Sequence, residues 1–209
     1  MNEVALVVIA KAPAPGRSKT RLCPPCSPDQ AAELAGAALA DTLAAVTATP
    51  ARLRLLALEG ELDGPAPRGM EVIPQFGDGL GARLGHALAA AGGPAVVVGM
   101  DTPQLTPHLL TQAAARLARP GVDAVVGPAF DGGYWTIGMR SPEPAAFAGV
   151  PMSSSETGAA QVRRLRELGL RVAALAPQRD VDTIADARAV ARAFPQTTFA
   201  RTLLAQGFA

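Results

Sequence analysis

Lys11, Arg17, Lys19 and Arg21 stand within one short segment, Lys11-Ala12-Pro13-Ala14-Pro15-Gly16-Arg17-Ser18-Lys19-Thr20-Arg21-Leu22, with no carboxylate among them. Cations at that density repel one another unless water or an anion compensates, and a phosphate is the natural anion. A solvated basic surface loop is the competing reading. Position favours phosphate. The residues just before, Val4-Ala5-Leu6-Val7-Val8-Ile9-Ala10, form an uninterrupted apolar run that reads as a buried central strand. Open α/β sheets bind their ligands beyond the C-terminal ends of such strands. Pro13, Pro15 and Gly16 keep the segment from continuing as strand or starting a regular helix, so it is a loop. It is not a P-loop, because no glycine directly precedes Lys19, and it is not a Gly-x-Gly-x-x-Gly fingerprint.

Four acidic residues follow the same logic. Asp101 comes directly after the apolar run Ala95-Val96-Val97-Val98-Gly99 and Met100, and Pro103 restrains it there. A carboxylate at that edge suits a Mg²⁺ or Mn²⁺ ion when a diphosphate lies close by. Its alternative is a turn or cap role, but Thr106 already stands in place to cap the next helix. Asp180 and Asp182 flank the end of the last strand, so Asp182 either joins Asp101 on one cation or caps the helix that follows. Asp131, in Asp131-Gly132-Gly133-Tyr134, is either a general base for an acceptor hydroxyl or an ordinary turn residue.

The elements that must position these residues alternate along the chain. Ser27-Pro28-Asp29-Gln30 carries an N-cap serine, a proline at the first helical position and a glutamine placed to close a capping box, predicting a helix over residues 29–46. Strands are predicted over 52–58, 71–74, 95–99, 124–128, 134–139 and 171–175, and helices from the glycine-rich turn 75–84 to 91, over 107–117, 157–168 and 184–193. Residues 60–69 and 141–156 read as loops, and the tail holds one or two further helical turns. The pattern predicts a single α/β domain over residues 1–209 with a mostly parallel sheet flanked by helices.

Composition narrows the function classes. Apolar residues make up 49% of the chain and the net charge is +1, which suits a compact core and offers no surplus of cations for a nucleic acid partner. No apolar run approaches the roughly 20 residues of a membrane span, and no leader pattern opens the sequence, so a cytoplasmic protein is expected. The only two cysteines, Cys23 and Cys26, lack the further ligands of a zinc site and read as incidental loop residues.

Four motifs in order carry a family resemblance: Ala10-Lys11-Ala12-Pro13 with Gly16 and Lys19-Thr20-Arg21-Leu22; Gly99 with Asp101 and Pro103; Gly127-Pro128-Ala129 with Asp131-Gly132-Gly133-Tyr134; and Asp180-Val181-Asp182-Thr183. The chain resembles bacterial GT-A-like transferases described as glycosyltransferases of arsenosugar biosynthesis or as radical-SAM- and selenium-associated transferases. These look related to 2-phospho-lactate guanylyltransferases and other small nucleotidyltransferases. The resemblance implies a GT-A-like fold in which the first loop (Ala10, Lys11, Ala12, Pro13, Gly16, Arg17, Lys19, Arg21) wraps a nucleotide. Lys19 and Arg21 would meet its phosphates, and Asp101 and Asp182 would hold Mg²⁺ or Mn²⁺. Met100, Gly79 and Met152-Ser153 depart from the family pattern, where a threonine, an uninterrupted Asp-Leu-Gly and a Trp-Ser are expected.

The expected activity is metal-dependent glycosyl transfer from a nucleotide-diphosphate sugar to a small-molecule acceptor, with Asp131 and Lys19 as catalytic residues. The alternative is guanylyl- or cytidylyl-type nucleotidyl transfer that releases pyrophosphate from a nucleoside triphosphate. A third reading is a nucleotide-binding protein without turnover.

Overall fold

The computed structural model describes residues 3–62 and 64–208; residues 1, 2, 63 and 209, including one position of the expected 60–69 loop, lie outside that range. The elements run β1 (Ala5–Lys11), α1 (Pro28–Ala48), β2 (Arg54–Glu59), β3 (Glu71–Pro74), α2 (Gly79–Ala90), β4 (Ala95–Val98), α3 (Pro107–Ala118), β5 (Ala124–Pro128), β6 (Tyr134–Met139), α4 (Thr157–Glu167), β7 (Val172–Ala174), α5 (Ile184–Ala193) and α6 (Thr198–Ala205), with 3₁₀ turns at Thr20–Leu22 and Pro144–Phe147.

One seven-stranded sheet has the order β3-β2-β1-β4-β6-β5-β7. All neighbouring pairs are parallel except β4·β6 and β5·β6, so β6 is the single reversed strand. β1 is central and its side chains Leu6 and Val8 face one apolar layer while Ala5, Val7 and Ile9 face the other. Such burial on both faces is why β1, β4 and β5 read as unbroken apolar runs rather than alternating ones.

Helix starts follow their caps. The Ser27 hydroxyl accepts the Gln30 N–H and Gln30 returns a bond to the Ser27 N–H, a complete capping box. Thr106 caps α3 and Thr183 caps α5. Three strands are shorter than expected, β4 by its last residue, Gly99. Arg52 precedes β2 because its guanidinium ties the Glu3 and Ala91 carbonyls, and Arg171 precedes β7 because it is held on Asp123. The tail forms α6, which packs on α1 and α5 through the buried Phe199 and Leu203.

α1 corrects the expectation that no segment is apolar enough to span a membrane. An 18-residue window of this alanine-rich helix reaches a mean hydropathy of 1.3, yet 61% of that window is buried inside the protein. It is a core helix by its packing.

Candidate active site

The first loop reverses direction through Gly16, at φ 69°, and Lys19, at φ 51°. A lysine in the left-handed region is uncommon and costs about 1 kcal/mol, so the surrounding structure must hold it there. The result turns the Lys19 side chain inward, where 7% of it remains exposed. Its ammonium donates to the Val181 carbonyl oxygen and pairs with Asp101. Arg21 pairs with Asp182 at 3.0 Å.

Asp101 follows β4, whereas Asp180 and Asp182 belong to the segment after β7, three places away in the sheet. That segment crosses back over the strand ends and is stitched down along the way. Trp135 donates to the Ala176 carbonyl at 3.0 Å, Gln178 exchanges bonds with Pro128 and Phe130, and Gln104 donates to the Arg179 carbonyl at 2.7 Å. The Val181 N–H then donates to the Asp101 carbonyl at 2.8 Å. Thr102 donates to Asp180 Oδ1 at 2.5 Å. Asp180 is half-buried, and burial, then the nearby charges of Asp101 and Asp131, pushes its carboxyl up to about 6. Thr183 caps α5 together with Asp186, which leaves Asp182 without that duty.

Asp131 sits in the turn between β5 and β6. Its Oδ1 accepts the Gly133 N–H at 2.9 Å, so the turn role and a free second oxygen coexist. On the far side of β1, Glu59 at the end of β2 collects three cations: Lys11 at 3.3 Å, Arg17 at 3.9 Å and Arg83. The Arg83 hydrogen bond, with Lys11 beside it, holds the Glu59 carboxyl below its usual range.

The charged side chains Lys11, Lys19, Glu59, Arg83, Asp101, Asp131 and Asp182 line one cleft of about 860 Å³ along the C-terminal edge of the sheet. Of the expected site residues, Ala10, Lys11, Arg17, Lys19, Arg21, Asp101, Asp131 and Asp182 line it; Ala12, Pro13 and Gly16 shape the loop without forming its wall. The structure adds Glu59, Gln75 and Arg83, and Asp180 joins Asp182 there, with Ser153, Ser154, Ser155 and Thr157 also in the lining. Glu59 ends a strand as Asp101 nearly does, and Arg83 lies in the first turns of α2, in the segment expected as a glycine-rich turn, so both carried a positional signal. The four cations of the loop are each matched by a carboxylate from another element, which their own segment could not reveal.

Cys26 is buried among Leu22, Leu34 and Val181, and Cys23 is half-buried beside it, both as free thiols. They belong to the packing under the loop rather than to its surface.

The model of DUF2064, uncharacterized protein conserved in bacteria, matches residues 31–154. Among solved structures the chain is similar to a Desulfovibrio desulfuricans G20 protein assigned provisionally as a nucleotide-diphospho-sugar transferase, with TM-score 0.88, 30% identity and coverage of 99% of this chain and 96% of that one. It shares the fold of a CMP:2-keto-3-deoxy-manno-octonic acid synthetase solved with CTP, at TM-score 0.60, 14% identity, 93% of this chain and 99% of that one. A nucleotidyl transfer enzyme from Methanothermobacter gives 0.57, 15%, 91% and 98% for the same quantities. No curated protein matches the sequence. With a family match over most of its length, the chain belongs to DUF2064, and with 30% identity to the Desulfovibrio protein along nearly all of it, it has the nucleotide-diphospho-sugar transferase fold.

Proposed function

We propose that the protein is a divalent-cation-dependent transferase that moves a glycosyl group from a nucleoside-diphosphate sugar to a small-molecule acceptor. One observation carries this reading: Lys19 and Arg21 of the first loop interleave with Asp101 and Asp182 in a single cleft. The cations lining it are Lys11, Arg17, Lys19, Arg21 and Arg83, and the acids are Glu59, Asp101, Asp131, Asp180, Asp182 and Asp186. Charges so nearly cancelled attract neither a bare anion nor a bare cation strongly. A metal–diphosphate brings both signs. The carboxylates receive its cation, and Lys19 and Arg21 are released to its phosphate oxygens.

The donor set fits such a cation. Asp101 and the 180–182 segment offer only hard carboxylate oxygens, which suit Mg²⁺ or Mn²⁺. Among the described residues no group of three His, Cys, Asp or Glu side chains could hold a metal alone. That agrees with an ion that takes one or two protein carboxylates and completes its shell with phosphate oxygens and water. A cation is already at home beside Asp101, since the Lys19 ammonium rests on it. When bound, the metal supplies charge neutralisation to the departing diphosphate. Lys19 and Arg21 share that work by hydrogen bonding. Asp131, with one oxygen fixed by Gly133, presents the other to the acceptor hydroxyl and takes its proton.

A second reading has its own support. Lys11, Arg17 and Arg83 converge on Glu59 in the same cleft, a cation cluster of the kind that a triphosphate needs for nucleotidyl transfer. Incubation with panels of nucleotide sugars and nucleoside triphosphates in Mn²⁺ separates the two. Donor hydrolysis or sugar transfer is the expected result, pyrophosphate release establishes the second reading, and binding without turnover leaves a nucleotide sensor. If no nucleotide binds with Mn²⁺, all three fall.

A further inference from the structure

Of the four cations in the first loop, Lys11, Arg17 and Arg21 keep 39%, 68% and 69% of their side chains exposed, whereas Lys19 keeps 7%. Its ammonium reaches two elements at once, the Asp101 carboxylate after β4 and the Val181 carbonyl in the segment after β7. The loop holds it there from both sides. Lys19 itself has a left-handed backbone, and Leu22, at the end of the 3₁₀ turn that follows, is fully buried with Cys26, Leu34 and Val181. The ammonium therefore spans the two segments that carry the proposed metal ligands Asp101 and Asp182, as a cation of the protein's own.

This pairing changes what Asp101 offers. About half of the Asp101 side chain is exposed, so a free metal ion can reach the carboxylate, but it meets one already neutralised and beside a fixed positive charge. Arg21 gives Asp182 no such cover, because an ion pair at 3.0 Å with so exposed a guanidinium is screened by water and worth little. No group of three His, Cys, Asp or Glu among the described residues gives a free ion another foothold. A metal that arrives with a diphosphate meets a different balance. The carboxylate turns to the metal while phosphate oxygens accept the ammonium, and no buried charge is left unpaired.

We infer that Lys19 is a built-in counter-cation that closes Asp101 to free divalent metal and opens it to metal and nucleotide together, so that the two bind as a coupled pair. This regulation deepens the transferase reading above and rests on it. Coupling is reciprocal: the nucleotide raises the affinity for the metal by the factor by which the metal raises the affinity for the nucleotide.

The test uses the whole chain and Mn²⁺ alone as probe, with the free ion read by electron paramagnetic resonance. Lys19→Gln keeps a donor for the Val181 carbonyl and removes the charge. It should bind Mn²⁺ at least tenfold more tightly than wild type, Lys19→Arg should return to the wild-type affinity, and Lys19→Gln/Asp101→Asn should lose the gain. A second measurement needs no variant: the ¹⁵N-labelled Lys19 ammonium should shift in NMR spectra when a nucleoside diphosphate is added with Mg²⁺, and stay in place with Mg²⁺ alone. An equal shift with Mg²⁺ alone, or no tighter Mn²⁺ binding in a folded Lys19→Gln protein, overturns the gate. If wild type still binds nucleoside diphosphates in a Mn²⁺-dependent manner on the same samples, the nucleotide site stands without it. If no nucleoside diphosphate binds with Mn²⁺, the transferase reading falls and the gate falls with it.

Discussion

Asp180 is held where its charge is disfavoured. It is half-buried, it accepts a hydrogen bond from the neutral Thr102 hydroxyl, and the charges of Asp101 and Asp131, with Lys19 partly offsetting them, lie within electrostatic reach. With a carboxyl pushed up to about 6 against an ordinary 3.8, the native state binds the extra proton between those values. Stability therefore falls as pH rises through about 6, and the loss is complete above it. Asp180→Asn keeps an acceptor for Thr102 and removes the charge. It should match wild type near pH 4 and be more stable by about 2 kcal/mol at pH 7.5 in denaturant titrations. Equal stability at pH 7.5 would show that Asp180 is already compensated. Lys19 shows the complementary case, a cation fastened to Asp101 and the Val181 carbonyl. Lys19→Ala should weaken a nucleoside diphosphate at least tenfold in calorimetry while leaving the free nucleoside alone; similar losses for both would mean that the loop itself had collapsed.

At the scale of elements, the site depends on pieces that brace one another across strand ends. Gly132, at φ 91° and pressed on Ser155, is the tightest of them. Gly132→Ala should cost about 2 kcal/mol or more of stability, read from the unfolding midpoint, because both the backbone angle and the space exclude a Cβ. The helices and most strands were legible in the sequence because their signals are local. Ser27-Pro28 with Gln30, Thr106-Pro107 and the unbroken apolar run of β4 each announce themselves within a few residues. The reversal of β6 was not legible. Its aromatic and β-branched residues suit either direction, and only its pairing with β4 and β5 decides it. The same limit hid the partners of the basic loop. Glu59, Asp101 and Asp182 are distant in sequence, and it is the strand order together with the 176–182 crossing that brings them to Lys11, Arg17, Lys19 and Arg21.

For the molecule as a whole, the sheet edge is divided by β1 into two charge centres. Lys11, Arg17 and Arg83 surround Glu59 on the β2 side, and Lys19 and Arg21 face Asp101, Asp180 and Asp182 on the β4 side. The roughly balanced net charge of the chain conceals this local order, so composition did not reveal the site. The fold places the two centres in one cleft. The whole scheme turns on Asp101 receiving a divalent cation together with the nucleotide. Calorimetric titration of a nucleoside diphosphate with Mn²⁺ into wild type and Asp101→Asn tests it most directly. Wild type should bind, and should lose binding when EDTA removes the metal; Asp101→Asn should bind at least tenfold more weakly with Mn²⁺ and no differently without it, at an undiminished melting temperature. Unchanged Mn²⁺-dependent affinity in a folded Asp101→Asn protein would contradict the account.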